Sequence, residues 1–331
     1  MSRLRVAVVG GGRNAEHEVS LASAAAVVAA LDPDRYRPVP LTIGRDGCWY
    51  DPTDHRASAP IGFPAALDLL QRVDVVIPAV HGRHGEDGSL AALCELVGVP
   101  YAGSGVAAGA VGLDKHATKL LAAAAGVATA PGEVLERTTA ESRIRSFDGG
   151  PVVVKPVSAG SSVGVSAAAT AQEFASALTT AFAVDERVLI EPYVSAREID
   201  VAVLRRADGQ VIIPPPLEIV VDGVFDYETK YGGEARFIVP APLENGEQAA
   251  LERAALLAYD AIGCAGIARL DFFVTPDGVL LNEINTTPGF TPHSQVPRMF
   301  AAAGVGYPAL VDLVITEALA SHPAVSNAGR R

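Results

Sequence analysis

Lysine is nearly missing from this chain: of 26 basic residues only Lys115, Lys119, Lys155 and Lys230 are lysine, and the other 22 are arginine. With the alanine richness, this points to a composition bias that replaced lysine almost everywhere. Where lysine persists, a compact ammonium is expected to be needed, and phosphate charge is one such need. Lys119 is read as the exception, a surface residue. Basic surface is scarce too. The net charge is -12 and the only adjacent basic pairs are Arg205 with Arg206 and Arg330 with Arg331, which excludes a nucleic-acid footprint. Three scattered cysteines, Cys48, Cys94 and Cys264, lack metal-ligand spacing and cannot all pair. They fit a reducing compartment, as small hydrophobes. No apolar run reaches the roughly 20 residues that span a bilayer, and the apolar stretch Val6 to Val9 is too short for a signal peptide. A cytoplasmic protein with no membrane partner is expected. Internal repeats and low-complexity linkers are also lacking.

What is present is a globular balance, 49% hydrophobic and 19% charged over 331 residues, enough for two or three domains. Residues 4–9 read as a buried parallel strand, followed by three glycines and a helix over 19–31. Strands at 39–43 and 73–78 and a helix over 88–97 continue an α/β pattern to about residue 106. A second module, 107–190, carries a helix over 115–125, a strand at 152–155, a glycine-serine loop at 158–164, a helix over 171–182 and a strand at 188–190. A third, 191–320, is strand-rich, with strands at 197–205, 210–220 and 235–238, a helix over 247–262 and a closing hairpin. The fold class is therefore α/β, turning to α+β in the C-terminal part, with a polar tail at 321–331 expected to fray.

The hairpin carries the strongest chemistry. Residues 268–274 and 278–284 pair as strands across Pro276, Asp277 and Gly278. Alternation puts Glu283 and Asn285 on one face, with Asp271 able to face them. Two carboxylates and an amide suit Mg²⁺, which takes oxygen ligands at about 2.0–2.1 Å and leaves positions for water and phosphates. An edge hairpin with solvated acids is the plain alternative. The loop after Lys155, with Gly160, Ser161, Ser162 and Gly164, offers backbone N–H groups to phosphates. It is not a Walker A loop, because its lysine precedes the glycines; a simple hairpin tip competes with the phosphate reading. Gly10, Gly12 and Ala15 match a dinucleotide fingerprint, but Glu16 and Glu18 follow where a pyrophosphate would sit. A carboxylate there suits an ammonium ligand, and helix capping alone also explains Glu18 and Ser20. His81 stands where an apolar strand ends, the edge at which α/β sheets hold ligands. It is read as a hydrogen bonder to substrate, His84 as ordinary loop, and Glu86 and Asp87 as turn and cap residues. The segment from Glu191 to Glu198 links two modules and offers hinge backbone to an adenine edge. The connection from Asp226 to Glu234 reads as a lid or a solvated loop.

In family order and spacing, the blocks from Ala15 to Ser20, His81 to Gly88, Asp114 with Lys115, Lys155 to Gly164, Lys230 with Tyr231, and Arg269 to Ser294 resemble D-alanine:D-alanine ligases of the ATP-grasp superfamily. The likeness runs from Val6 to about Leu319. It implies a three-domain ATP-grasp architecture with a Rossmann-like N-terminal domain, and a homodimer. It also implies ATP held by Lys115, Lys155, Ser162, Glu191, the Tyr193 backbone, Glu198 and Lys230. Two Mg²⁺ ions, with Mn²⁺ as a substitute, would sit on Asp271, Glu283 and Asn285. The first D-alanine would meet Glu16 and His81, and Ser161 and Tyr231 would join Glu16 in a network closing the lid. Arg269 and the Gly289 N–H would stabilise an oxyanion, and Ser294 with Arg269 would bind the second carboxylate. Tyr231 favours D-alanine as second substrate over D-serine or D-lactate. Two departures bear on that choice: a lid about one residue short, and Leu217 where relatives commonly have glycine. Rival readings are an NAD-dependent oxidoreductase using the opening glycines, a nucleotide-binding regulator without turnover, and an ATP-grasp ligase for other amines.

Overall fold

The computed structural model describes residues 3–52, 59–220 and 236–321. Its first sheet grows from β1 (Leu4–Gly11), in which Val6 to Val9 are wholly shut off from water. A strand apolar on both faces is what a parallel sheet covered by helices requires. β1 lies parallel to both β2 (Tyr36–Ile43) and β4 (Val75–Pro78), with β3 (Trp49–Tyr50) antiparallel on β2. Helix α1 (His17–Ala30) crosses the end of β1 closely, since a Cβ on Gly10 would stand 2.6 Å from Ala24 Cβ. That glycine of the opening turn thus serves strand-helix packing. Helices α2 (Gly62–Leu70) and α3 (Ser89–Val97) bury Ala66, Leu70, Leu90 and Cys94 against the sheet. Cys94 is the buried small hydrophobe expected; Cys48 and Cys264 are only half-buried, and all three thiols are unpaired.

The second sheet is antiparallel throughout, in the order β5 (Glu133–Glu136), β8 (Arg187–Pro192), β6 (Val152–Pro156), β7 (Ser166–Ala168). Apart from β3 at the edge of the first sheet, the change from parallel to antiparallel pairing therefore comes at β5, earlier than the strand-rich stretch from 191. Helix α4 (Val106–Leu113) leads into α5 (Lys115–Ala124), and the sheet itself is covered by α6 (Ala140–Arg145) and α7 (Ala171–Phe182). A capping box starts α7: Thr170 Oγ1 accepts from the Glu173 N–H at 3.2 Å, and the Glu173 carboxylate accepts from the Thr170 N–H at 3.0 Å. Such a cap contributes about 1 kcal/mol.

The third sheet runs β12 (Arg236–Ile238), β11 (Leu217–Val220), β9 (Arg197–Arg205), β13 (Gly266–Thr275), β14 (Gly278–Asn285), with β10 (Val211–Ile212) paired to β9. The single strand expected over 210–220 is broken in two, because Pro214, Pro215 and Pro216 lack the N–H a ladder needs. One face is covered by α8 (Asn245–Ile262) together with α4 and α5, so that Ala108, Ala122, Tyr259 and Leu270 share a core. These two helices precede the second sheet in the chain yet pack on the third. On the other face, α9 (Gln295–Ala302) and α10 (Tyr307–Ser321) meet at 104° and join the third sheet to the first. Val8, Leu204, Leu217, Phe300 and Leu310 lie in that common core. Leu217, fully buried, is explained by this packing. Among the described residues no single helix is long and apolar enough to cross a membrane.

Phe300 is wholly buried where the first and third sheets meet. Phe300→Ala should lower the unfolding free energy by about 3–5 kcal/mol, read as a fall in urea midpoint at unchanged slope. A loss under about 1 kcal/mol would show that this core does not bind the two sheets.

Candidate active site

The antiparallel register of β13 and β14 sets Asp271 opposite Glu283 and Arg269 opposite Asn285, with a bulge just after Asp271. Alternate residues share a face, so all four side chains project together. From the other side, β9 places Asp200 opposite Asp271, with Glu198 two residues away on the same face. Arg269 is buried, 4% exposed, and grips Asp271 with two hydrogen bonds of 2.7 and 2.8 Å. Its Nε is also 3.5 Å from Asp200, and Asn285 Nδ2 donates to Asp271 at 3.1 Å. Burial alone would favour loss of the guanidinium proton. The charges of Asp271 and Asp200 outweigh it and hold Arg269 protonated more firmly than an ordinary arginine.

A first cavity opens between the second and third sheets, bordered by Lys115, Lys155, Glu191, Glu198, Asp271 and Glu283. Asp114 caps α5 by accepting from the Ala117 N–H at 2.9 Å, which aims the next residue, Lys115, inward. Its ammonium donates to Ala159 O at 2.6 Å and stands 3.3 Å from Glu283. Lys155 pairs with Glu191 and donates to Asn282 Oδ1 at 3.1 Å. Lys119 is not the surface residue expected. It is buried, pairs with the same Glu191 and donates to Ala130 O at 3.2 Å. Burial pushes Lys119 down; Glu191, despite its own burial, is held below the usual carboxylate range by Lys155 and Lys119. Tyr193 borders the cavity, but its backbone N–H is already taken by Pro151 O at 2.9 Å. Hinge contacts with a ligand therefore fall to its carbonyl or to the next residue, Val194, which also lines the cavity. The donor set of Asp271, Glu283 and Asn285 fits Mg²⁺: hard oxygens on one face, Asp271 and Glu283 lining the first cavity and Asn285 the second. Among the described residues no group of three or more His, Cys, Asp or Glu side chains offers a metal cage complete in itself.

A second cavity lies beyond Arg269, between the start of α1, the His81 turn and the segment from Thr287 to Ser294. Glu16 ends the turn before α1, and Ser161 Oγ donates to its carboxylate. A Cβ on Gly82 would stand 2.2 Å from Glu16 Oε2, so only glycine lets that backbone meet the acid. Ser161 and Ser162 carry φ of 51° and 56°, left-handed values that side chains usually avoid. Such strain is typical of functional loops, and here it turns Ser161 to the second cavity and Ser162 to the first. His81 donates from Nδ1 to Thr287 O at 2.9 Å, which leaves Nε2 to accept from Ser23 Oγ at 2.8 Å. Ser294 Oγ accepts from the Thr291 N–H at 3.1 Å and lies 3.2 Å from where a Gly289 Cβ would be. His84 is an exposed turn residue, as expected. Lys230 and Tyr231, and the lid expected around them, lie outside the described residues.

Three further residues belong to the site that sequence reasoning passed over. Asp200 was signalled only by its spacing of two from Glu198. Lys119 follows Lys115 by four, which puts both on one helix face. Glu86, read as a turn residue, is buried and accepts from the Gly82 N–H at 3.1 Å and the Thr287 N–H at 3.2 Å. Burial and the charge of Glu16 push its carboxyl up to about 7, against the pull of those two N–H groups.

Known proteins carry the same architecture. The family model "D-ala D-ala ligase C-terminus" matches residues 121–316, and "D-ala D-ala ligase N-terminus" matches 5–66 and 55–104. A D-alanine--D-alanine ligase of Corynebacterium aurimucosum is 41% identical over 96% of this chain and 98% of its own length. The VanG D-Ala:D-Ser ligase of Enterococcus faecalis superposes with a TM-score of 0.84 at 31% identity, covering 96% of this chain and 100% of that one. A D-alanine--D-alanine ligase of Bacillus anthracis, solved with ATP, gives 0.78 at 26% identity over 96% and 98%.

Glu86 allows a pH test of the second cavity. Its folded value near 7 lies above the ordinary 4.5, so between those pH values the folded chain holds a proton that the unfolded chain has shed. Stability must then fall as pH rises through that window, by about 3 kcal/mol for this group. Urea melts of wild type and Glu86→Gln at stepped pH should show the wild type losing that margin relative to the variant. Parallel pH profiles would contradict the buried, proton-holding Glu86.

Proposed function

The chain belongs to the D-alanine–D-alanine ligase family, and from that membership we propose how its two cavities share one reaction. It is an ATP-dependent ligase that joins two D-alanines into D-alanyl-D-alanine, the dipeptide of peptidoglycan precursors. ATP enters the first cavity, with its base toward Glu191 and the backbone at Tyr193 and Val194, its ribose toward Glu198, and its phosphates toward Lys115, Lys155 and Ser162. The single observation that carries this reading is the shared wall: Arg269, Asp271 and the Ser161–Ser162 turn separate a cation-lined cavity from one that opens on Glu16. Two Mg²⁺ ions, or Mn²⁺ in their place, would be held by Asp271, Glu283 and Asn285 and would neutralise charge on the β- and γ-phosphates.

In the second cavity the carboxylate of Glu16, steadied by Ser161, takes the ammonium of the first D-alanine, and His81 orders the wall beside it. The substrate carboxylate is then directed toward the γ-phosphorus. One of its oxygens forms the new P–O bond as the bond to ADP breaks, giving D-alanyl phosphate. The amine of the second D-alanine, its carboxylate held by Ser294 and Arg269, attacks the acyl carbon. The oxyanion formed faces Arg269 and the Gly289 N–H, a kind of contact worth roughly 3–4 kcal/mol per donor. The C–O bond then breaks, phosphate leaves and the amine sheds its proton. Lys230 and Tyr231 would complete the enclosure that keeps water from the acyl phosphate. The division into domains at 1–106, 107–190 and 191–320, with a tail at 321–331, belongs to the same proposal, as do cytoplasmic placement and a homodimer. Helices α4 and α5 would then be the part of the central segment that travels with the third sheet.

Phosphate release with Mg-ATP and D-alanine as sole amino acid tests the function, alongside D-serine and D-lactate as second partners. Turnover with D-alanine alone is expected. Activity that appears only with another partner would redirect the assignment. Glu283→Gln should lower turnover by at least about a hundredfold with an unchanged circular dichroism spectrum, and a near-normal rate would remove Glu283 from the site.

A further inference from the structure

Lys119 has no task in the reaction just described, yet it is one of only four lysines in the chain and is buried. It does not line the nucleotide cavity; Ala130, Lys155 and Glu191, which surround its ammonium or share its partner, do. One buried carboxylate is therefore held between two ammonium groups. On the proposed reading, Lys155 turns to the phosphates when ATP arrives. A buried carboxylate deprived of its only cation takes up a proton.

We propose that Lys119 is the resident counter-ion of Glu191, a positioning residue that keeps this carboxylate charged and fixed beside the nucleobase while Lys155 serves the phosphate chain. The inference rests on ATP occupying the first cavity. Lysine suits the role because Ala130 O and Glu191 converge on one compact ammonium, whereas the planar fork of arginine, the basic residue used elsewhere in this chain, spreads its donors. The groups facing Glu191 are few. Lys155 comes from β6 and Lys119 from α5, with Lys115 the next charge along that helix. The approach to β5 presents Gly132, whose added Cβ would sit 3.4 Å from Glu191 Cγ, an ordinary contact without charge.

The test is equilibrium binding of Mg-ATP to the full chain between about pH 6 and pH 8, with wild type, Lys119→Met, Glu191→Gln and the double variant. In Lys119→Met, loss of Lys155 to the phosphates should force Glu191 to gain a proton. The ratio of variant to wild-type Kd should then rise with pH by up to about tenfold per unit, the slope of one linked proton. Calorimetry in two buffers of different ionisation enthalpy should show proton uptake in this variant beyond that of wild type. KM for D-alanine should stay within about twofold, because the second cavity is untouched. A flat ratio, or equal proton uptake, overturns the proposal. If Lys119→Met does not fold, the double variant is compared with Glu191→Gln: equal ATP affinity supports the proposal, since no charge remains to hold, and a further loss overturns it. Failure of wild type itself to bind Mg-ATP would instead sink the nucleotide reading.

Discussion

The site is organised around one buried cation. Arg269 has almost no access to water and survives there only because Asp271 grips it with two hydrogen bonds and Asp200 stands behind it. A buried charge without partners would cost several kcal/mol, so the three residues bind β9 and β13 into one rigid wall. Asn285, donating to Asp271, extends that wall to β14. Because the guanidinium is planar and fixed, its charge already borders the second cavity before any ligand arrives. Preorganised donors of this kind stabilise developing charge without reorganising at the moment of reaction.

Charge elsewhere follows from this arrangement. The chain is acidic overall, at -12, yet Lys115, Lys119 and Lys155 gather within one region between the second and third sheets. Lys115 pairs with Glu283 while Lys119 and Lys155 share Glu191, so in the resting site every one of these ammonium groups is engaged in an internal ion pair. On the proposed reading an incoming triphosphate would compete for those ammonium groups, which would make nucleotide binding an exchange of partners. The second cavity has the opposite character, with Glu16 and Glu86 both reaching the backbone at Gly82. It suits an ammonium ligand, while the wall between the two suits the transfer of a phosphoryl group from one side to the other.

Much of this was legible in the sequence because it is local. The hairpin from Gly266 to Asn285 announced itself by alternation around a proline-glycine turn, and alternation alone put Asp271, Glu283 and Asn285 together. The glycine-serine loop is likewise a short-range feature. What escaped depends on contacts distant in the chain. Whether Lys119 faces water or Glu191 is decided by where α5 docks, and α5 docks on the third sheet, not the second. Glu86 looked like a turn residue because its partners include Thr287, about two hundred residues away. That the Tyr193 N–H is taken by the Pro151 carbonyl, on the approach to another strand, is likewise a contact distant in the chain. The break in the strand over 210–220, by contrast, was written plainly in three successive prolines.

On the proposed reading a substrate carboxylate in the second cavity lies against the terminal phosphate of a nucleotide in the first. D-alanine labelled with ¹⁸O in its carboxylate tests it most directly, by mass analysis of the phosphate released during turnover with Mg-ATP. If the acid is activated as an acyl phosphate, each phosphate carries one labelled oxygen and the dipeptide bond forms with loss of that atom. Unlabelled phosphate, with all the ¹⁸O retained in D-alanine or its products, would contradict the account.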